Sequence, residues 1–263
     1  MLEKVQGIVL RTVKVGDTKL IVDIFTLSHG RLSFVTTFSH SKQSRSLLAF
    51  WTPLSLLEFQ ADIRLTSTSL PKPKDVRFYY NYKDSPFNPL KSTILLFLAE
   101  FISASLRNES TNVPLYRFLE MSLQYLDGIT DPASLANFHL IFLLRLSRFL
   151  GILPNIGTPD SSCFNGADGI MTTRNPFGAS QPLFDLLSST YTNLMPPHKY
   201  YLMPDEASIL PLLFRLNYST MHLLRLSRAQ RARFLEVVIT YYRLHIPGFP
   251  ELKSLPVLHE VFA

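Results

Sequence analysis

The sequence contains little cysteine and little charge. Cys163 is the single cysteine among 263 residues, so the chain forms no disulfide within itself and has no CxxC pair for redox chemistry or zinc. Only 17% of the residues are charged, whereas 46% are hydrophobic, which excludes an intrinsically disordered chain. A lone cysteine is typical of proteins in a reducing compartment, and we therefore expect a cytoplasmic protein.

Long hydrophobic runs and familiar catalytic motifs are also missing. Apolar runs such as 94–99 and 209–214 fall far short of the roughly 20 residues of a membrane span. Glu3 and Lys4 stand before only a short apolar stretch, so we expect no export signal and no membrane association. The ten glycines form no phosphate-binding loop, nucleophile elbow or dinucleotide fingerprint, and the seven histidines form no local metal pair. These absences favour a protein that is not an enzyme and needs no cofactor, while a catalytic triad assembled only in three dimensions stays an alternative.

Positive charge is concentrated near the N-terminus. The whole chain carries a net charge of +6 at pH 7 and has a pI of about 9.4. Residues 1–80 hold eleven Lys and Arg against six Asp and Glu, whereas residues 81–263 hold fifteen against fourteen. This distribution favours an anionic partner for the first 80 residues.

Alternating hydrophobic and polar residues predict a small β-barrel over residues 1–80. The alternation is regular over 57–66, which indicates a half-buried strand. Shorter β-rich runs, separated by turn residues at Gly16-Asp17 and Ser28-His29-Gly30, lie at 5–15, 19–26 and 31–38. Four or five strands in a basic segment of this length favour an oligonucleotide-binding (OB) fold.

Helical spacing replaces the alternation after residues 70–74, where two prolines predict an extended linker. Asp131 and Pro132 are typical of a helix start, and Gly151 is typical of a helix stop. Helices are predicted from Pro89 to about Leu106, from Pro132 to about Leu150, and from about Ser219 to Ile246. Residues 81–263 are therefore expected to form a mainly α-helical domain with an irregular insertion at about 153–182. The fold class as a whole is α+β with more than one domain.

Several segments match a known family in order and spacing. At the start these are Gly7-Ile8-Val9-Leu10, Gly16-Asp17, Leu20-Ile21-Val22 and Thr26 with His29-Gly30-Arg31; later come Phe149-Leu150-Gly151-Ile152-Leu153-Pro154-Asn155 and Leu252-Lys253-Ser254-Leu255-Pro256-Val257-Leu258. Together they resemble the bacterial RecO family of DNA repair and recombination proteins over nearly the whole chain. The resemblance implies an OB-fold barrel followed by a helical domain with a zinc-finger-like insertion.

The insertion departs from the family pattern. Many relatives carry four zinc-binding cysteines there, whereas this chain has only Cys163, and Gly166 stands where the CxxC partner would be. One thiolate cannot form a four-coordinate zinc site, so the insertion is expected to be a degenerate one that holds no metal.

The function implied by the resemblance is that of a recombination mediator. RecO-like proteins bind single- and double-stranded DNA, anneal complementary strands, contact the C-terminal tail of the single-stranded DNA-binding protein SSB, associate with RecR, and help RecA displace SSB. The localisation implied is the bacterial cytoplasm, at the nucleoid. Two other classes stay as alternatives: a protein-interaction scaffold, and a hydrolase or transferase with an incidental barrel.

Ten basic residues are candidates for DNA contacts, because Lys and Arg neutralise phosphates. Lys42 and Arg45 lie in a polar loop without acidic residues, although an ordinary solvated loop has the same composition. Lys72 and Lys74 precede the aromatic run 78–82, which either stacks on bases or packs between domains. The remaining candidates are Lys14, Lys19 and Arg31 near the barrel turns, and Arg225, Arg228 and Arg231 along the last long helix, where a solvated helix face is the alternative.

Arg145 and Arg148 interrupt the apolar helix 138–150. The resemblance implies an SSB-tail site in the helical domain. An acidic peptide that ends in a hydrophobic residue and a carboxylate requires an apolar groove rimmed by arginine, so these two residues are candidates for that contact. The alternative is that both arginines extend from a buried helix to reach solvent.

Overall fold

The computed structural model of the protein describes residues 2–37, 48–63, 69–107, 109–156 and 182–262. The chain divides into two compact units, of which the first comprises Met1–Thr130 with Pro250–Ala263 and the second comprises Asp131–Phe249. None of the helices in the described part of the chain has the length and hydrophobicity needed to cross a membrane.

The first unit begins with one antiparallel sheet of five strands. They are β1 (Leu2–Val15), β2 (Lys19–Thr26), β3 (Gly30–Thr37), β4 (Leu56–Asp62) and β5 (Lys74–Tyr80), in the spatial order β3-β2-β1-β4-β5. Val35 on the outer edge of β3 donates its N–H to the carbonyl of Pro71 at 3.0 Å, so the segment leading into β5 contacts the opposite edge of the sheet. Buried residues from every second position, among them Val9, Val22 and Phe59, form the core enclosed by the strands. The predicted N-terminal barrel is thus confirmed.

The sequence prediction missed strand β5. It placed an extended linker at 70–74 and no strand after it. Residues 74–80 pair with β4, and the register shifts opposite Leu56–Leu57 and opposite Glu58–Gln60, where β5 has one more residue than β4 each time. Val76 and Phe78 pack against the barrel core, while Tyr79 donates to or accepts from Tyr116 outside it. Because large side chains cover both faces of β5, its period of two is hidden in the sequence.

Helices α1 (Pro89–Ser105) and α2 (Val113–Gly128) follow the barrel, and the C-terminal helix (Leu255–Phe262) completes the first unit. Asn88 caps α1, because its side chain accepts the N–H groups of Leu90 and Lys91. Glu100 of α1 in turn accepts the N–H groups of Lys253 and Ser254, at 2.9 and 2.8 Å. A carboxylate on one helix therefore caps the segment that starts another.

Asp127, at the end of α2, holds the turn between β5 and α1. Its carboxylate accepts the backbone N–H groups of Lys83, Asp84 and Ser85 at 2.8, 3.1 and 2.8 Å, and the hydroxyl of Tyr80 at 3.0 Å. Burial raises the pKa of the Asp127 carboxyl, but the bonds to the backbone of Lys83 and Ser85 outweigh burial and lower this pKa to about 2.

The second unit contains helices α3 (Pro132–Phe149), α4 (Pro204–Ala207), α5 (Leu210–Arg215) and α6 (Arg228–His245), with a small sheet of β6 (Leu183–Asp185), β7 (Thr190–Thr192) and β8 (Tyr201–Leu202). The predicted limits of α3 are confirmed. Asp131 accepts the N–H of Ser134 at 2.8 Å, and Gly151 has a φ of 71° directly after the helix.

The prediction of one helix from about Ser219 to Ile246 is wrong at its start. Residues Met221–Leu223 form a separate 3-10 turn, and α6 begins only at Arg228. Ser227 accepts the N–H of Gln230, and the Gln230 side chain accepts the N–H of Ser227, so this reciprocal pair fixes the helix start. Of the predicted insertion at 153–182, only 153–156 and 182 belong to the described residues, and Cys163 lies outside them.

We predict that Asp127→Ala lowers the free energy of unfolding by about 2 to 4 kcal/mol, because three backbone N–H groups lose their acceptor. Urea denaturation followed by circular dichroism measures this change. Since the folded pKa of Asp127 is about 2, below the usual value of 3.8, its contribution to stability is fully present above about pH 4 and is lost as the pH falls toward 2. Asp127→Asn should remove this pH dependence; the same acid transition in both proteins would contradict the assignment.

Candidate nucleic-acid interface

Lys14 and Lys19 flank the turn between β1 and β2, and both side chains are exposed. Lys14 pairs with Leu20, which belongs to the barrel core, whereas Lys19 pairs with Val15 and Thr37. Directly paired residues share a face of a sheet, and successive residues alternate. The structure therefore brings the two lysines to the same end of the barrel but to opposite faces of the hairpin.

Lys72 and Lys74 lie where the chain enters β5, and both are exposed. Lys72 follows Pro71, whose carbonyl contacts the edge of β3, and Lys74 pairs with Gln60 of β4. Within the described residues, neither lysine has a hydrogen-bonding or ion-pair partner for its ammonium group. Lys19 shares this property. Free ammonium groups on a barrel surface are well suited to neutralise phosphates.

Arg31 is placed differently, because its guanidinium is engaged within the protein. It donates to the carbonyls of Ser103 and Leu106 at the end of α1, at 2.9 and 3.2 Å, and it forms an ion pair with Asp23 at 2.8 Å. Its side chain is only 15% exposed. Arg31 thus joins β2 and β3 to the carboxyl end of α1, where unpaired carbonyls favour a cation.

Asp23 and Gly30 support the contact between Arg31 and α1. Burial opposes ionisation of Asp23, but the hydrogen bonds from Ser33 and Arg31 outweigh burial and keep the pKa of Asp23 below its usual value. Gly30 has a φ of 68°, and a Cβ at this position would lie 2.6 Å from the carbonyl carbon of Ser110. Position 30 therefore requires glycine, and this explains Gly30 in the segment His29-Gly30-Arg31 that resembles the family.

Lys42 and Arg45, which the sequence favours most for DNA contact, lie outside the described residues. Their role stays a prediction.

The aromatic run 78–82 packs within the first unit. Tyr79 and Tyr116 share a hydrogen bond of 3.1 Å, Tyr80 donates to Asp127, and Tyr82 donates to the carbonyl of Leu54 at 2.8 Å. The rings of Phe78 and Phe50 lie 4.6 Å apart. Of the two interpretations that the sequence leaves open for this run, the contacts support packing.

The three arginines near the start of α6 do not form one helical row. Arg225 precedes the helix, and both Arg225 and Arg228 are exposed. Arg231 donates from Nε to the side chain of Asn137 at 3.0 Å and from a terminal nitrogen to the carbonyl of Leu226 at 3.3 Å. Burial, together with the nearby charge of Arg228, lowers the pKa of Arg231. Arg231 is therefore a packed residue on the side of α6 that contacts α3.

A narrow apolar cavity of about 30 Å³ lies in the second unit. Its walls come from α3, β6, α5 and α6, and they include Leu144, Pro154, Phe184, Phe214, Val238 and Tyr242. These residues are spread over about a hundred positions, so no local sequence signal reveals the cavity. Its lining is apolar, and its volume accommodates a small group rather than a whole side chain.

Arg148 and Arg145 differ in their relation to this cavity. Arg148 is exposed and follows the lining residue Leu144 by one turn of α3, so it extends from the same side of the helix. Arg145 donates to the carbonyl of Leu216 at 2.7 Å, and its buried Nε has no hydrogen-bond acceptor within the described part of the chain. Arg148 is therefore an exposed cation beside the apolar lining residues, whereas Arg145 is hydrogen-bonded to the end of α5.

Among the residues that the structure describes, no three His, Cys, Asp or Glu side chains are grouped in a way that would hold a metal ion.

Comparisons with known proteins cover both units. A family model described as "Recombination protein O N terminal" matches residues 1–77, and one described as "Recombination protein O C terminal" matches residues 86–256. The chain is 42% identical to the DNA repair protein RecO of Phocaeicola vulgatus and 43% identical to that of Bacteroides fragilis, in both cases over 263 residues and 100% of each chain. It is 30% identical to the DNA repair protein RecO of Porphyromonas gingivalis over 261 residues, 98% of each chain.

We predict that Arg31→Ala lowers the free energy of unfolding by about 2 to 4 kcal/mol, because Asp23 and two helix carbonyls lose their charged donor. Arg31→Lys should rescue little of this loss, since one ammonium cannot reproduce the planar fork of donors. Lys19→Ala, at an exposed position, is the matched control and should change stability by less than about 0.5 kcal/mol. Equal urea midpoints for Arg31→Ala and the wild type would show that the contact contributes nothing.

Proposed function

The chain belongs to the RecO family of DNA repair proteins, and from this membership we propose that it acts as a recombination mediator that binds single- and double-stranded DNA and anneals complementary strands. The observation that carries the proposal is the match to relatives named as DNA repair proteins over the full length of the chain. The mediator works without covalent catalysis and without a cofactor, in the bacterial cytoplasm at the nucleoid.

The barrel supplies the DNA-binding surface. Lys19, Lys72 and Lys74 are exposed and have no ion-pair partner within the described residues, which supports their use for phosphates. Lys14 extends the surface on the other face of the β1–β2 hairpin, and Lys42 and Arg45 contribute from outside the described segments. Neutralising the phosphates of two strands on one protein lowers their repulsion, and this allows the strands to approach and pair.

The second unit supplies the contact with SSB. The hydrophobic end of the acidic SSB tail lies against the apolar residues around the cavity, and Arg148 pairs with its carboxylates. Arg145 orients the end of α5, which lines the cavity, through its bond to Leu216. Arg225 and Arg228, exposed before and at the start of α6, add cationic surface for DNA.

The remaining partners follow from the family. RecR associates with the protein, and together they help RecA displace SSB from single-stranded DNA. In this scheme DNA contacts the barrel and the start of α6, whereas the SSB tail contacts the residues around the cavity of the second unit. A substitution in the DNA contact therefore leaves the SSB-tail contact intact, and the reverse also holds.

We predict that replacing Lys72 and Lys74 by alanine together weakens binding to single-stranded DNA and reduces the slope of log K against log salt by about 1.4, because about 0.7 is lost for each phosphate contact. Fluorescence polarisation with a labelled oligonucleotide at several salt concentrations measures the slope. Lys199→Ala combined with Arg243→Ala removes the same charge from the second unit and should leave the slope unchanged. If both double variants behave like the wild type, the DNA lies elsewhere.

We predict that Arg148→Ala weakens binding of an SSB-tail peptide by about 10- to 100-fold, the loss expected for a hydrogen bond to a charged group. Titration calorimetry with the peptide measures the affinity. Arg243→Ala, which removes an exposed arginine from α6, should bind the peptide normally. Full peptide affinity in Arg148→Ala would remove this residue from the site.

A further inference from the structure

The turn between β5 and α1 presents an aromatic ring to solvent. Phe87 is 81% exposed, the largest exposed fraction among the large hydrophobic side chains of the described residues. Pro86 and Pro89 on either side of it are exposed as well. The exposed phenyl ring offers a planar apolar surface that a stacking ligand would remove from water.

The turn that carries Phe87 is held rigidly. The carboxylate of Asp127 accepts three consecutive backbone N–H groups just before it, and the N–H groups of Phe87 and Asn88 both donate to the carbonyl of Asp84, at 2.9 and 3.0 Å. Ser92 of α1 donates to the carbonyl of Ser85 at 2.7 Å. Because the backbone is fixed before any ligand arrives, binding at Phe87 costs little conformational entropy.

The charges around the ring favour an anionic ligand. Asp84 forms an ion pair of 2.7 Å with Lys91, which is almost fully buried, so its negative charge is compensated within the protein. Lys83 is exposed, and its ammonium group has no hydrogen-bonding or ion-pair partner in the described part of the chain. An exposed planar ring and a free cation four residues apart on a rigid turn match the two parts of a nucleotide, its base and its phosphate.

We propose that Phe87 and Lys83 form a site outside the barrel for one unpaired base of single-stranded DNA, with the base stacked on Phe87 and its phosphate beside Lys83. The inference rests on the proposed function, which makes single-stranded DNA a ligand. Tyr79, Tyr80 and Tyr82 are held by hydrogen bonds of their own, whereas Phe87 has its ring free in solvent. A protein partner is disfavoured, because Phe87 with its exposed neighbours Pro86, Pro89 and Leu90 forms a patch of four residues, whereas each side of a specific interface has about 20 to 30.

The test compares variants of the full chain in their binding to a labelled oligothymidylate at two salt concentrations. Phe87→Ala should lose about 5- to 150-fold in affinity, the equivalent of one stacked base, with an unchanged salt slope. Phe87→Leu should lose a similar amount, because it keeps apolar surface but cannot stack, while Phe87→Trp should bind at least as well as the wild type. Tryptophan fluorescence of Phe87→Trp, measured against the wild-type signal of Trp51, should change when the oligonucleotide binds.

Two controls separate stacking from other effects. Met121→Ala removes an exposed hydrophobic side chain from α2, where the residue is 65% exposed, and should leave the affinity unchanged. An oligonucleotide of abasic sites should bind equally to the wild type and to Phe87→Ala, because it offers no base to stack.

Three results would overturn the inference: wild-type affinity for oligothymidylate in Phe87→Ala, full affinity in Phe87→Leu, or an equal loss with the abasic strand. A wild-type chain that fails to bind single-stranded DNA at all would instead overturn the proposed function, together with this site.

Discussion

The contact of Arg31 with the end of α1 is the interaction on which the architecture of the first unit depends. One guanidinium satisfies two helix carbonyls and the carboxylate of Asp23, so it connects β2, β3 and α1 at a single point. Gly30 lets the backbone of β3 approach Ser110, and the carbonyl of Glu109 accepts the N–H of Arg31 at 3.2 Å. The lysines of the β1–β2 hairpin and of the entry to β5 take no part in this contact and are exposed.

The carboxylate of Asp127 has a similar role at the other connection between barrel and helices. It replaces water as the acceptor for three backbone N–H groups, which fixes the chain between β5 and α1 in one conformation. Phe87, in the same turn, has its ring exposed. The same carboxylate therefore holds both the fold of this turn and the backbone that carries Phe87.

Cationic residues in this protein fall into two groups with different consequences. Arg31 and Arg231 are bound to carbonyls and side chains inside their own units, and charge alone does not make them ligand contacts. Lys19, Lys72, Lys74, Arg148 and Arg228 are exposed. The count of 26 Lys and Arg thus overstates the cationic surface available to an anionic ligand, since some of these residues hold the fold.

Local pattern in the sequence determined four barrel strands, the limits of α3 and the basic character of the first 80 residues, because alternation, capping residues and charge are properties of neighbouring residues. The sequence did not reveal β5, whose aromatics pack on both faces, or the start of α6, where a reciprocal cap interrupts a continuous helical pattern. Only the tertiary structure decided that Arg31 belongs to the interior, that the aromatic run packs, and that an apolar cavity forms from four elements. These features depend on contacts between residues far apart in the chain, and no local spacing encodes which distant carbonyl or ring a side chain will meet.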